Sequence, residues 1–200
     1  MNIEEIIELP KGRRKIVIDD GTTFILYRGE LGGLNIEVNS ELSKESYDRI
    51  MNEILPKRAK LRGLNLLKSR PYTEWQLRQK YIDGGYPEAV IDTAIDYIKE
   101  MHCIDDYEYC RTYITYRSKD RSRKRLYLDL VNKGVNKDTI ERAMNSVIED
   151  GDISGEEELI KRLMEKRHYN PETAEYEERQ KMIQYLYGKG FSMDLIRNLT

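Results

Sequence analysis

With 35% charged residues and a mean hydropathy of −0.74, a chain of 200 residues has much surface and little to bury, which suits an elongated stack of small helix bundles better than one globule. Its net charge of −2 argues against a protein that simply coats nucleic acid. There is no apolar run of about 18 residues and no basic n-region leading into an apolar h-region, so neither a membrane-spanning nor a secreted protein is expected.

Residues 1–56 read as a lobe of their own. Lys15 to Asp19 and Thr22 to Tyr27 flank Asp20-Gly21, a two-residue hairpin signal with β-branched residues on both sides. Gly29, Gly32 and Gly33 break the chain, and residues 34–38 are expected to add a third extended piece. Ser43 caps a helix that carries Tyr47, Ile50, Met51 and Ile54 and is predicted to stop at Pro56.

Beyond Pro56 one short unit is written three times. Aligning Gly85, Gly134 and Gly190 puts Leu77, Leu126 and Met182 eight residues earlier, and Tyr81, Leu130 and Leu186 four earlier. Tyr86, Val135 and Phe191 follow directly, Ile91, Ile140 and Ile196 come six later, and Ala94, Ala143 and Leu199 nine later. These are apolar stripes of two successive helices, and each glycine reads as the left-handed cap that ends the first. The glycines lie 49 and 56 residues apart, a period typical of helical arrays.

The helix starts are punctuated too. Thr73 to Gln76 and Ser154 to Glu157 have capping-box spacing, and Asp105 to Glu108 is an aspartate variant. Pro87 and Pro171 sit where a first helical turn tolerates proline. A further helix fits before each pair, over 60–69, 106–117 and 156–167. The fold class is therefore mainly α: tandem three-helix modules over 57–104, 105–152 and 153–200, behind a β-hairpin-containing lobe. The loop 166–175 of the third module is polar and reads as mobile.

Catalytic signatures are absent: no G-x-x-x-x-G-K-[ST], no G-x-S-x-G and no paired-histidine motif occurs. Cys103 and Cys110 are the only cysteines and His102 and His168 the only histidines, so no disulfide, zinc site or other cofactor is expected, and a reducing cytoplasm is the natural compartment. Asp105-Asp106 invites a metal or acid/base reading. A helix N-terminus, where carboxylates satisfy orphan N–H groups, accounts for the same pair together with Glu108. The single tryptophan, Trp75, reads as packing beside its capping box.

Charge is unevenly spread. Residues 1–56 carry a net −4, 57–110 carry zero, 111–150 carry +4 and 151–200 carry −2. The basic island centres on residues 117–125, with Arg117, Lys119, Arg121, Arg123, Lys124 and Arg125 in nine positions and Arg111 one helix upstream. Clustered guanidinium groups commonly meet phosphate or carboxylate; a solvated charged loop is the competing reading. Tyr109, Tyr113, Tyr116 and Tyr127 could stack on bases, although the helical spacing of the first three also suits a core. Lys80, Lys133 and Lys189 lie near the helix ends before the three glycines, where cations complement the dipole.

These residues resemble those of the RecX family of regulatory proteins. Arg70-Pro-Tyr-Thr-Glu-Trp-Gln-Leu77 followed by Lys80 resembles the family's first-module signature, with Gln76 in place of an acid. Ile104-Asp-Asp-Tyr-Glu-Tyr-Cys-Arg111 is similar to its Leu-Asp-Asp element, and Leu130-Val-Asn-Lys-Gly-Val135 to its Leu…Lys-Gly-Ile element. The hairpin is similar to a leader found in some members. Where many members have a glycine-rich segment, this chain has Lys119-Asp-Arg-Ser-Arg123.

What the resemblance implies is a non-enzymatic modulator that binds RecA recombinase and lodges in the groove of its nucleoprotein filament. Such a protein restrains ATP hydrolysis, strand exchange and repressor cleavage in the DNA-damage response. RecA and single- or double-stranded DNA are then the expected partners, no membrane is involved, and nothing forces an oligomer, so a monomer is expected. The contact residues would be Arg111, Arg117, Lys119, Arg121, Arg123, Lys124, Arg125 and Lys133, with Thr73, Asp105, Gly85, Gly134 and Gly190 as structural caps. The alternatives are a tandem repeat protein binding DNA directly, as a transcription or architectural factor, and a metal-dependent nuclease using Asp105 and Asp106.

Overall fold

The computed structural model describes residues 1–151 and 155–200. The predicted capping box at Ser154 falls outside them. The chain divides into two compact units, Met1–Asp105 and Asp106–Thr200.

In the first unit β1 (Ile3–Leu9), β2 (Arg13–Ile18) and β3 (Thr23–Tyr27) form an antiparallel sheet in that order. Ile16 and Ile18 on β2 bury alternate side chains, with Ile3, Phe24 and Leu26 beside them. The third strand is β1, not the expected piece at 34–38, which stays irregular after the 3-10 turn Arg28–Glu30. β1 pairs with β2 from Ile3 to Leu9, whereas the chain after Leu34 meets the sheet only past the expected strand, in a single bridge between Glu41 and Asn2. The hairpin turn is also one residue longer than Asp20-Gly21 alone predicts. Gly21 stands at φ +83°, its N–H donating to Ile18 O (2.9 Å), while Ile18 N–H donates to Thr22 O (3.1 Å). This is the three-residue form in which a turn is followed by a left-handed glycine.

Ser43 caps α1 (Lys44–Arg49), its Oγ accepting from Ser46 N–H. The helix does not stop at Pro56. It passes through a π-helical turn, Ile50–Ile54, directly into α2 (Leu55–Ser69), where Pro56 occupies the first turn. Proline inside an α-helix lacks a donor and clashes with the carbonyl four residues earlier; the wider turn ahead of it, with Leu55 N–H donating to Ile50 O, relieves both conditions. α3 (Glu74–Ile82) begins at a capping box in which Thr73 Oγ1 accepts from Gln76 N–H (3.2 Å), and α4 (Glu88–Glu100) follows Pro87. The three helices and the sheet share one core. Gly63 lets them close: a β-carbon there would overlap Tyr81 Oη and Ile98 Cδ1.

The second unit holds two three-helix sets. α5 (Asp106–Arg117), α6 (Arg123–Val131) and α7 (Lys137–Glu149) enclose Cys110, Ile114, Leu126, Leu130, Ile140 and Val147. α8 (Glu156–Glu165), α9 (Tyr176–Gly188) and α10 (Met193–Leu199) enclose Leu159, Ile160, Met182, Leu186, Phe191 and Ile196. Pro171 does not open a helix, contrary to the sequence reading. Asn170 Oδ1 accepts from Glu172 N–H (3.0 Å), an Asx turn that holds the proline in a loop. That loop is tied down by Tyr169, whose hydroxyl donates to Thr200 O (3.1 Å).

Gly85, Gly134 and Gly190 stand at φ +70°, +79° and +92°. In each case the next residue's N–H (Tyr86, Val135, Phe191) reaches back to the carbonyl of Tyr81, Leu130 or Leu186, and the glycine's own N–H to that of Ile82, Val131 or Tyr187. That bond pair is the Schellman motif. Among the described residues no helix is long and apolar enough to cross a membrane.

Candidate functional site

The basic segment follows directly from helix punctuation. α5 ends at Arg117, Ser118 is buried, and Ser122 restarts the chain as the N-cap of α6, its Oγ accepting from Arg125 N–H (3.2 Å). Ser122 is only 1% exposed because the third helical set packs on it. Its N–H donates to Lys189 O (3.2 Å), and a β-carbon on Gly190 would stand 2.7 Å from both Ser122 Oγ and Arg125 Cβ. Lys189 Nζ pairs with Asp120 (3.1 Å), and Arg123 N–H donates to Glu156 Oε1 (2.8 Å) at the start of α8. The segment is therefore the joint between the two helical sets of the second unit.

The cations divide accordingly. Arg121 and Arg125 converge on Asp129, which is 11% exposed and also accepts from Tyr113 Oη (3.2 Å). Burial works against the charge of Arg121, but its hydrogen bond and attraction to Asp129 outweigh that and raise its pKa above the ordinary value. Arg111 pairs with Asp150 (2.8 Å), and Lys133 Nζ lies 5.2 Å from the ring centre of Tyr113. Arg117 lies over Tyr116, itself exposed. Lys119, Arg123 and Lys124 are exposed and make no ion pair among the described residues.

A cleft of about 400 Å³ opens beside this joint, lined by Asp120, Arg121, Arg125, Gln184, Tyr185 and Lys189. Arg167 sits 3.7 Å above the Tyr185 ring. The sequence reading brought Arg121 and Arg125 into the site but not Asp129, Asp120 or Glu156, the carboxylates that organise it. Only the Arg125–Asp129 pair had a readable signal, its i,i+4 spacing. Lys189 and Glu156 arrive from 69 and 33 residues away and leave none. Tyr113 is partly buried against the α5–α7 core, as are Tyr109 and Tyr127, which favours packing over base stacking.

Asp105 immediately precedes α5, and Asp106 and Glu108 lie in its first turn. Among the described residues no three His, Cys, Asp or Glu side chains are grouped to hold a metal ion. Cys103 is exposed and Cys110 buried.

Family models of RecX match three stretches in order: its first three-helix domain over 59–97, the second over 105–144 and the third over 155–199. A regulatory protein RecX from Caldanaerobacter subterraneus subsp. tengcongensis is 31% identical over 205 aligned residues, covering all of both chains. One from Clostridium perfringens strain 13 is 26% identical across 94% of this chain and 90% of its own. A crystal structure of regulatory protein RecX superposes with a TM-score of 0.61 at 23% identity, over 99% of this chain and 98% of that one. A RecX structure from Lactobacillus salivarius gives 0.57 at 21% identity, covering 73% and 94%. At those identities the two structures speak to the fold.

Proposed function

Because the chain belongs to the RecX family of regulatory proteins, we propose that it is a non-enzymatic regulator that binds RecA and its DNA filament and inhibits RecA ATP hydrolysis, strand exchange and coprotease activity. It acts as a monomer in the cytoplasm, in recombinational repair and the DNA-damage response. The observation that carries this reading is the ordered match of all three domain models within a full-length relationship at 31% identity. A regulator of this kind needs no energy source: binding one filament state better than another shifts its population.

The charge geometry supports a division of labour within the basic segment. Arg121 and Arg125 are held by Asp129 and position the loop. Lys119, Arg123 and Lys124, with Arg117 beside them, make no ion pair among the described residues and are the groups that meet phosphate or an acidic protein surface. Arg111 and Lys133 contribute at the margin of the same basic island.

The test is RecA ATP hydrolysis on single-stranded DNA with the protein titrated in below one copy per RecA. Strong inhibition is expected, and Arg123→Glu with Lys124→Glu should raise the concentration needed roughly tenfold while leaving the circular-dichroism spectrum intact. No inhibition at any ratio, together with tight binding to bare DNA, would transfer the function to direct DNA binding.

A further inference from the structure

The first unit carries a second surface that the basic segment does not explain. Four large apolar side chains stay exposed there: Tyr27 (40%), Leu61 (56%), Trp75 (46%) and Ile82 (56%). They line two adjoining clefts that share Tyr86. The first, about 480 Å³, holds Tyr27 and Leu61; the second, about 260 Å³, holds Trp75 and Ile82. Scattered exposed apolar residues need no explanation, but four gathered on neighbouring clefts mark a binding surface.

Charge says what the surface fits. Among the described residues the first cleft is lined by two arginines, Arg58 and Arg62, and by no carboxylate. Arg58 is fully engaged. Its guanidinium lies between Tyr27 and Tyr86, about 5 Å from each ring centre, and donates to Tyr86 Oη (3.0 Å), Glu30 (2.5 Å) and Ile25 O (2.6 Å). Arg62 is not engaged in this way. It makes one long bond to Lys80 O (3.4 Å), and its buried Nε has no hydrogen-bond partner among the described residues. Its terminal nitrogens carry only that long bond among the described residues, so on the wall of the cleft they can donate to an incoming carboxylate, which a guanidinium holds in a bidentate way. The second cleft argues against a phosphodiester backbone. It carries Glu88, and its cation Arg78 is already held by Glu74 (2.9 Å) and Asp92 (2.6 Å).

We propose that this face seats an extended segment of the protein partner, presenting large apolar side chains to Leu61 and Trp75 and a carboxylate to Arg62. The inference rests on the reading that the partner is RecA. It gives the regulator two contacts of different chemistry, an apolar-acidic one on the first unit and a basic one on the second.

The experiment compares binding of the wild-type chain, Leu61→Ser/Trp75→Ala and Arg62→Gln to RecA filaments on single-stranded DNA and to the bare oligonucleotide. Leu61 and Trp75 are exposed and Arg62 is half-buried, so a cooperative thermal melt of each variant first establishes that it is folded. Each is expected to weaken filament binding roughly tenfold and leave oligonucleotide binding unchanged. Equal filament binding by folded variants overturns the proposal, and a parallel loss on bare oligonucleotide overturns it in favour of nucleic acid. If the wild type itself ignores the filament, the RecA reading falls and this inference falls with it.

Discussion

Gly63 shows how much of this fold depends on a single missing methyl group. It sits in the interior of α2, where alanine is worth about 1 kcal/mol more than glycine to an isolated helix. Yet a β-carbon there would overlap Tyr81 Oη and Ile98 Cδ1. Neither neighbour can yield: Tyr81 is fully buried with its hydroxyl donating to Ala59 O (2.9 Å), and Ile98 is fully buried too. Overpacking of this kind costs about 1–3 kcal/mol, which exceeds the propensity gain. Gly63→Ala should therefore lower the melting temperature by a few degrees; a thermal melt showing an increase would mean that α3 and α4 relax freely away from α2. The sequence offers no warning of this role. A lone glycine among helix formers looks tolerable, and its reason lies 18 and 35 residues further along the chain. Arg62, one position earlier, is equally silent, because its lack of an acceptor exists only once α2 and α3 have packed.

At the scale of elements much more was legible. Helical stripes and cap glycines are local signals, and they delimit α3, α4, α6, α7, α9 and α10 because an apolar residue four positions before a left-handed glycine must turn inward with its helix. The failures came where a nonlocal partner decides. β1 forms because β2 offers it an edge, and α1 runs on through Pro56 because a π-helical turn removes the clash that usually ends a helix. Cap glycines also differ in a way the sequence hides. Gly151, behind α7, and Gly190 stand at φ +75° and +92°, but among the described residues a β-carbon on Gly151 would meet nothing within 4 Å, whereas Gly190 lies against Ser122 and Arg125 of the neighbouring helical set. Alanine at Gly151 should cost about 1–2 kcal/mol of left-handed strain. At Gly190 the same strain is joined by overpacking of about 1–3 kcal/mol. Urea denaturation should rank Gly190→Ala clearly below Gly151→Ala in midpoint; the reverse order would show that the joint between the two sets opens at little cost.

The whole molecule comprises two units with separate cores, the first closing at Ile104 and the second beginning at Cys110. Each carries its own candidate contact, so the proposed regulator is bivalent toward a filament that repeats its subunits. Linking two weak contacts turns the second into an intramolecular event, and the gain reaches 10²–10⁴-fold when the span fits, on the order set by effective concentration. That gain disappears when the chain is divided. Fragments 1–104 and 105–200 keep Ile104 with the first core and leave Asp105 beside the helix it precedes. Both should give helical circular-dichroism spectra, since among the described residues each core cluster is built from residues of its own unit. Mixed in equal amounts, they should inhibit RecA ATP hydrolysis at least tenfold less effectively than the intact chain at the same concentration, a modest part of the avidity that linkage can supply. If one fragment alone matched the intact protein, the regulation would reside in a single unit and the other contact would be ancillary. If the mixture matched it while neither fragment did, the two units would act at independent sites, and the covalent connection would contribute nothing to affinity.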